Sequence, residues 1–168
     1  MQNPHHPDLR SRHLRITEPS PWVRRFAPLI TPGDDNEGDN GGAVLDLATG
    51  SGRHGRYLLG LGFSVVLVDR DIAPLADLAG ESRAEVIEAD LEGGASVFAP
   101  GGPLVERTFA GIVVVNYLHR ALMDDIVAAL APGGVLLLGL QAGSEVRRIE
   151  SWLDVDLGDR IADLDPSL

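Results

Sequence analysis

The sequence contains no cysteine. Disulfides, thiolate nucleophiles and cysteine-ligated metals are therefore excluded. Lysine is missing too: all 14 basic residues are arginine, a bias of genome composition rather than of mechanism. Positive charge is scarce overall, and 25 acids leave a formal net charge of -11 over 168 residues. An acidic chain repels nucleic-acid phosphates unless it carries a local basic patch. The patch that exists gathers Arg10, Arg12, Arg15, Arg24 and Arg25 near the N-terminus. It reads as a solvated arm and a helix face, so no nucleic-acid partner is expected. No apolar run reaches membrane-spanning length. The N-terminus is polar, rich in His and Pro, and has no apolar signal core. The expectation is a cytoplasmic protein with no membrane partner. His5, His6 and His13 lie in a loose setting, and no metal is expected.

No internal repeat is visible, and the length suits one domain. The expected division is a flexible arm over 1–18, a folded region over 19–140 and a divergent tail over 141–168. Within the folded region, Ser20 is placed to cap a short helix with Pro21 at its first position. Trp22, Val23, Phe26 and Leu29 or Ile30 give that helix one apolar face. The stretch 33–42 is acidic, rich in Gly and without an apolar anchor, which predicts a mobile linker. From Ala43 onward, short apolar runs alternate with helical patterns. "AVLDLA", "FSVVLVD", "AEVIEAD", "AGIVVVNYL" and "VLLLGL" read as five strands. "RHGRYLLGL", "IAPLADLAG" (capped by Asp71) and "ALMDDIVAALAPGG" read as helices between them, with a further short helix at 94–99. Such alternation with short connections predicts an α/β fold, a doubly wound and mostly parallel sheet covered on both faces.

The chemistry concentrates in "LDLATGSGRHGRYLLGLGFSVVLVDRD". Gly50, Gly52 and Gly55 have the G-x-G-x-x-G spacing of a strand-to-helix loop that brings backbone close to a ligand. The helix that follows offers unpaired N–H groups. Asp46, at the end of the first strand, would repel a pyrophosphate and suit a cationic ligand. Asp69, ending the second strand, can accept hydrogen bonds from ribose hydroxyls. Asp90, after the third, can accept from an adenine amino group, with the Leu91 N–H beside it. The plainer roles are a tight turn for the loop and a solvated acid for Asp90.

Taken in order, these residues resemble the class I S-adenosylmethionine-dependent methyltransferases. Their first motif appears as "LDLATGSG", the second as Asp69 in "VVLVDRD", the third as Asp90 in "IEADLEGG". Their fourth strand and pre-strand-five turn appear as "FAGIVVVNYLHR" and "ALAPGGVLLLG". The resemblance covers residues 20 to about 140 and is closest to small bacterial methyltransferases of unassigned substrate. It implies a strand order 3-2-1-4-5 and S-adenosylmethionine as cofactor. It places Asp46, Ala48, Gly50 and Gly52 on the methionine and ribose side, Asp69 on the ribose, and Asp90 and Leu91 on the adenine. Asn116 and Tyr117 would flank the methyl group. His119 is the candidate general base, or else simply begins the next helix. Asn116–Tyr117 is similar to the polar-aromatic motif of amine methyltransferases but lacks its prolines, so the acceptor is left as a small molecule. An NAD-binding oxidoreductase and a non-catalytic cofactor-binding or partner subunit are the alternatives.

The family's usual strands six and seven have no counterpart here. After "VLLLGL" the chain offers one amphipathic segment, "SEVRRIESWLDV", expected to form a helix over 145–153. Strand five is then an apolar edge, to be covered by that helix or by a second copy of the chain. By the same resemblance, the helix at 20–30 is expected to be a cofactor-responsive lid, with Trp22 or Phe26 against the cofactor side. The alternative is a static helix in a core groove.

Overall fold

The computed structural model describes residues 17–31 and 42–139. Most of the expected arm and linker, and the tail with its helix over 145–153, lie outside the described residues. Among the described residues five strands form one sheet in the order β3-β2-β1-β4-β5. They are β1 (Val44–Leu47), β2 (Val65–Asp69), β3 (Ala84–Glu88), β4 (Phe109–Val115) and β5 (Leu130–Gly139). Every neighbouring pair is parallel. The α/β class and the 3-2-1-4-5 order are thus as expected. No helix among the described residues is long and apolar enough to cross a membrane.

Side chains alternate across a strand, and the core divides accordingly. Val44, Val65, Leu67 and Val113 point to one face, where they meet α2 (Arg53–Gly60). Leu45, Leu47, Val66, Val68, Ile112 and Val114 point to the other, toward Phe109, Leu122 and Ile126. Ile126 belongs to α3 (Met123–Ala128), which is shorter than its sequence pattern. The Pro-Gly-Gly expected to end that helix lies inside β5 instead. Phe109 pairs with Leu130 and Gly111 already with Val135, so the extra residues bulge out of the ladder. Gly133, at φ +79°, supplies the left-handed turn this needs. The short helix expected at 94–99 is a set of turns anchored by buried Val97. "IAPLADLAG" forms a 3-10 helix, Ala73–Leu78, rather than an α-helix, and Asp71 Oδ1 accepts from the Ala73 N–H at 3.2 Å.

The first helix, α1 (Pro21–Phe26), starts where the sequence places it. Ser20 Oγ accepts from the Val23 N–H at 3.2 Å, and Pro21 occupies the first turn. A 3-10 turn, Ala27–Leu29, extends it. Its inward face differs from expectation. Val23, Ala27 and Ile30 are buried, whereas Trp22 is 47% and Leu29 56% exposed. Ile30 lies over Gly111, where a Cβ would come within 2.7 Å of its Cδ1. The segment is therefore core, and none of its residues lines the cleft described below. The lid expectation gives way to the static helix.

Candidate functional site

The residues just past the ends of β1, β2, β3 and β4 meet around a cleft of about 350 Å³. In doubly wound sheets, ligands bind beyond the carboxyl ends of the strands, where the strand order reverses. Here that reversal falls between β1 and β4. Ala48 and Asn116, which follow these two strands, both line the cleft and both adopt left-handed backbone, at φ +56° and +60°. The Asn116 N–H donates to the Gly139 carbonyl at 2.7 Å, which ties the end of β4 to that of β5.

Asp46 departs from expectation. It shares the face of Val44, so it points under α2 and not at a ligand. It is 1% exposed and does not line the cleft. Its Oδ2 accepts from Thr49 Oγ1 at 2.5 Å and from the Gly55 N–H at 2.8 Å. Burial pushes its pKa up to about 6, opposed by those two hydrogen bonds and by Arg53. The carboxylate is a clasp holding the loop and the start of α2 onto β1. Gly52 and Gly55 serve the same closure. A Cβ on Gly55 would reach within 2.4 Å of Leu67 Cδ2, and one on Gly52 within 2.5 Å of Leu75 Cδ2. Gly52 also has φ +73° and lies outside the cleft lining. Of the three glycines, Gly50 alone lines the cleft.

Asp69 lines the cleft and braces it. Its Oδ2 accepts from the Gly50 N–H at 2.8 Å and its Oδ1 from the Asp71 N–H at 3.1 Å. A carboxylate has about four lone-pair sites, so each oxygen keeps capacity for a ligand hydroxyl. Asp90 and Leu91 line the far end, where Asp90 Oδ1 accepts from the Glu92 N–H at 3.0 Å. Tyr117 is on the wall as well. Its hydroxyl oxygen is buried without a hydrogen-bond partner among the described residues. Burial first, then the Glu92 and Asp90 carboxylates, push its pKa up to about 12. It is therefore a neutral donor at the acidic end. His119 is absent from the lining. It precedes the 3-10 turn Arg120–Leu122, and its carbonyl accepts from the Leu122 N–H at 3.0 Å.

Several lining residues escaped sequence reasoning. Arg53 and His54 occupy the first turn of α2, and Arg70, Asp71 and Glu92 join them around the cleft. The signal for Arg53 and His54 was available: they are the first residues after G-x-G, where a helix N-terminus faces a ligand. His54 is 4% exposed, and its Nε2 is buried with no hydrogen-bond partner among the described residues. Burial lowers its pKa to about 4, helped by the Arg53 charge, so the imidazole is neutral at pH 7.

No family model matches the chain, and no curated protein matches it. Solved structures do. Coclaurine N-methyltransferase, bound to N-methylheliamine and S-adenosylhomocysteine, matches at 17% identity and TM-score 0.52, covering 76% of this chain and 42% of its own. CalS10, an amino pentose methyltransferase from Micromonospora echinaspora bound to S-adenosylmethionine, matches at 18% and 0.50, covering 88% and 62%. The glycopeptide N-methyltransferase MtfA matches at 25% and 0.49, covering 69% and 51%. The chain thus spans about half the length of the structures it matches.

Proposed function

We propose that this chain, which has the class I methyltransferase fold, binds S-adenosylmethionine in the cleft and directs its methyl group to a small-molecule acceptor. The observation that carries this is the pairing of Asp69 and Asp90 at the ends of β2 and β3, both lining one cleft at the sheet's reversal point. The volume suits a nucleoside-sized ligand. Asp69 would accept from the ribose hydroxyls, Asp90 and the Leu91 N–H would hold the adenine, and Ala48, Gly50 and Asn116 would border the methionine end. Asp46 and Gly52 act behind them, fixing the loop.

When bound, the cofactor supplies an electrophilic methyl carbon on a sulfonium. The protein's part is orientation: nucleophile and methyl must be held in line. Asn116, whose backbone N–H donates to the Gly139 carbonyl at the end of β4, would do this. With His119 off the cleft, no general base is assigned. We extend the proposal to a cytoplasmic protein with no nucleic-acid partner, able to self-associate through β5 or the C-terminal tail.

A dinucleotide remains the second reading for one reason. Asp46 lies under the loop, so its charge does not face a pyrophosphate. Thermal shift separates the two. A ligand present at a hundred times its Kd stabilises by about 2.7 kcal/mol, and that gain is expected with S-adenosylhomocysteine and not with NAD. The reverse result would overturn the proposal. Binding without turnover across a panel of acceptors would favour a non-catalytic partner subunit.

A further inference from the structure

The cleft has an uncharged side. Its carboxylates, Asp69, Asp71, Asp90 and Glu92, crowd the ends of β2 and β3. At the end of β4 the wall is Val115 and Asn116, and β5 ends beside Val115 at Gly139. The Gly139 carbonyl already accepts from the Asn116 N–H. A Cβ on Gly139 would stand 3.7 Å from both Val115 methyls and 3.7 Å from Trp22 Cδ1. Val115 and Trp22 therefore flank one bare position, with room for a methyl group between them. Trp22 is 47% exposed, and it is the one exposed aromatic side chain among the described residues. A large exposed apolar side chain next to a ligand cleft is informative in a way that a scattered one is not.

The helix that carries Trp22 is aimed at the cleft. Ile30 lies over Gly111 near the start of β4, and Trp22 lies by Gly139 at the end of β5. The N-terminal end of α1 thus reaches the carboxyl edge of the sheet. There Arg53, which lines the cleft, donates from Nη1 to the Glu18 carbonyl at 3.3 Å. The lead into α1 is fastened to the cleft mouth at Glu18, and Ser20 caps the helix behind it. Phe26 backs the indole, with ring centroids 4.3 Å apart. Trp22 is a fixed, half-open aromatic surface one strand beyond the cleft wall.

We propose that Trp22 is the platform on which the methyl acceptor stacks, and that this acceptor carries an aromatic ring. This rests on the S-adenosylmethionine reading of the cleft and adds a substrate class to it. A ring seated over Gly139 lies between the indole and Val115, where no charge has to be desolvated. A substituent on that ring reaches Asn116 on the neighbouring strand, about 4.8 Å away. Stacked or edge-on contact with an indole favours an aromatic ring beyond the area it buries, so a saturated ring of the same size is held less well.

The test uses the full chain with its two tryptophans, Trp22 and Trp152, replaced by fluorotryptophan, and Trp152→Phe to assign the Trp22 fluorine resonance. With S-adenosylhomocysteine bound, two pairs of probes are titrated: phenethylamine with cyclohexylethylamine, and benzyl alcohol with cyclohexylmethanol. Each pair shares its polar group and differs in the aromaticity of its ring. At least one aromatic member is expected to shift the Trp22 resonance saturably and to bind about two- to ten-fold tighter than its saturated partner. Trp22→Leu should abolish that preference while calorimetry gives an S-adenosylhomocysteine affinity within about two-fold of wild type. If the variant fails to fold, the Trp22 resonance of the wild-type chain still decides. A resonance that no aromatic probe moves, an equal response to both members of each pair, or a W22L chain that keeps the preference overturns the platform. A Trp22 fluorine with no heavy-water isotope shift in the free chain is already covered, by the C-terminal tail or a second copy, and that also overturns it. A chain that does not bind S-adenosylhomocysteine overturns the cofactor reading and the platform with it.

Discussion

Asp46 and His54, two buried ionisable groups of the loop region, respond to acid in opposite senses. The folded pKa of Asp46 is raised to about 6 from 3.8. Its protonation favours the fold, and that contribution is complete below pH 4 and lost as pH rises through 6. The folded pKa of His54 is lowered to about 4 from 6.5. Its neutrality favours the fold, and that contribution is complete above pH 6.5 and lost as pH falls through 4. The two slopes oppose each other over the same window. Asp46→Asn should expose the His54 slope: urea midpoints of the variant should fall more steeply from pH 6.5 to 4 than those of wild type. Both bonds to Asp46 reach a single oxygen, so an amide oxygen can accept them, and at pH 7 the variant should gain up to about 3 kcal/mol over wild type. Equal slopes would contradict this. For Asp69→Ala, calorimetry should show S-adenosylhomocysteine binding weakened about ten-fold or more, and urea unfolding a loss of about 1 kcal/mol from the Gly50 bond. Asp69 and Asp90 were legible because strand ends were legible. Asp46 was misjudged because motif position suggested a ligand contact, whereas its two-residue offset from buried Val44 puts it under a helix.

At the scale of elements, β2 and β4 were legible because a parallel strand buried on both faces is a continuous apolar run bounded by glycines and acids. Helix lengths were overread. The α3 pattern runs into Pro132 and Gly133, which β5 absorbs as a bulge, and no local propensity reveals which element claims such residues. The α2–sheet contact depends on Gly55. Gly55→Ala should destabilise by about 1–3 kcal/mol, since Leu67, which the new methyl would meet, is itself fully buried. A denaturant midpoint equal to wild type would mean that α2 can lift off the sheet without cost. Removing residues 1–31 should leave a chain with no cooperative unfolding transition by circular dichroism. It strips Val23, Ala27 and Ile30 from the core, each large side chain worth about 1.5–3 kcal/mol, from a fold whose whole margin is about 5–15 kcal/mol. A folded truncated protein would restore the lid.

At the scale of the molecule, the two edges of the sheet formed by the described residues are unlike. On β3, Glu85 and Glu88 are exposed, and Arg107 grips Glu85 with two bonds of 3.1 and 2.7 Å. Charge on an edge discourages pairing with another chain. On β5, Val135, Leu136 and Leu138 are only half buried and carry no charge. The outer β5 amides are expected to be protected in hydrogen-exchange mass spectrometry, by the tail or by a second copy. Rapid exchange in a monomer shown by light scattering would contradict both versions. The 3-2-1-4-5 order was legible from the ordered set of motifs. The asymmetry of charge within the cleft was not, because it depends on which acids the loop turns inward.

That strand order also carries a history. Val44 meets Val65 across β1 and β2, and Phe109 meets Leu130 across β4 and β5, whereas Val44 meets Gly111 only after a much longer detour of chain. Closing the long loop costs about 1 kcal/mol more in chain entropy than closing either short one, and distant pairings slow folding. Two locally wound halves should therefore gather first and join along β1–β4. The cleft lies on that seam: Ala48, Asp69 and Asp90 belong to the N-terminal half, Asn116 and Tyr117 to the C-terminal one. A molecule lodged between them bridges the last joint to close and the first to open. Bound nucleoside should then slow unfolding more than it speeds folding, a split that stopped-flow measurements with and without ligand would reveal.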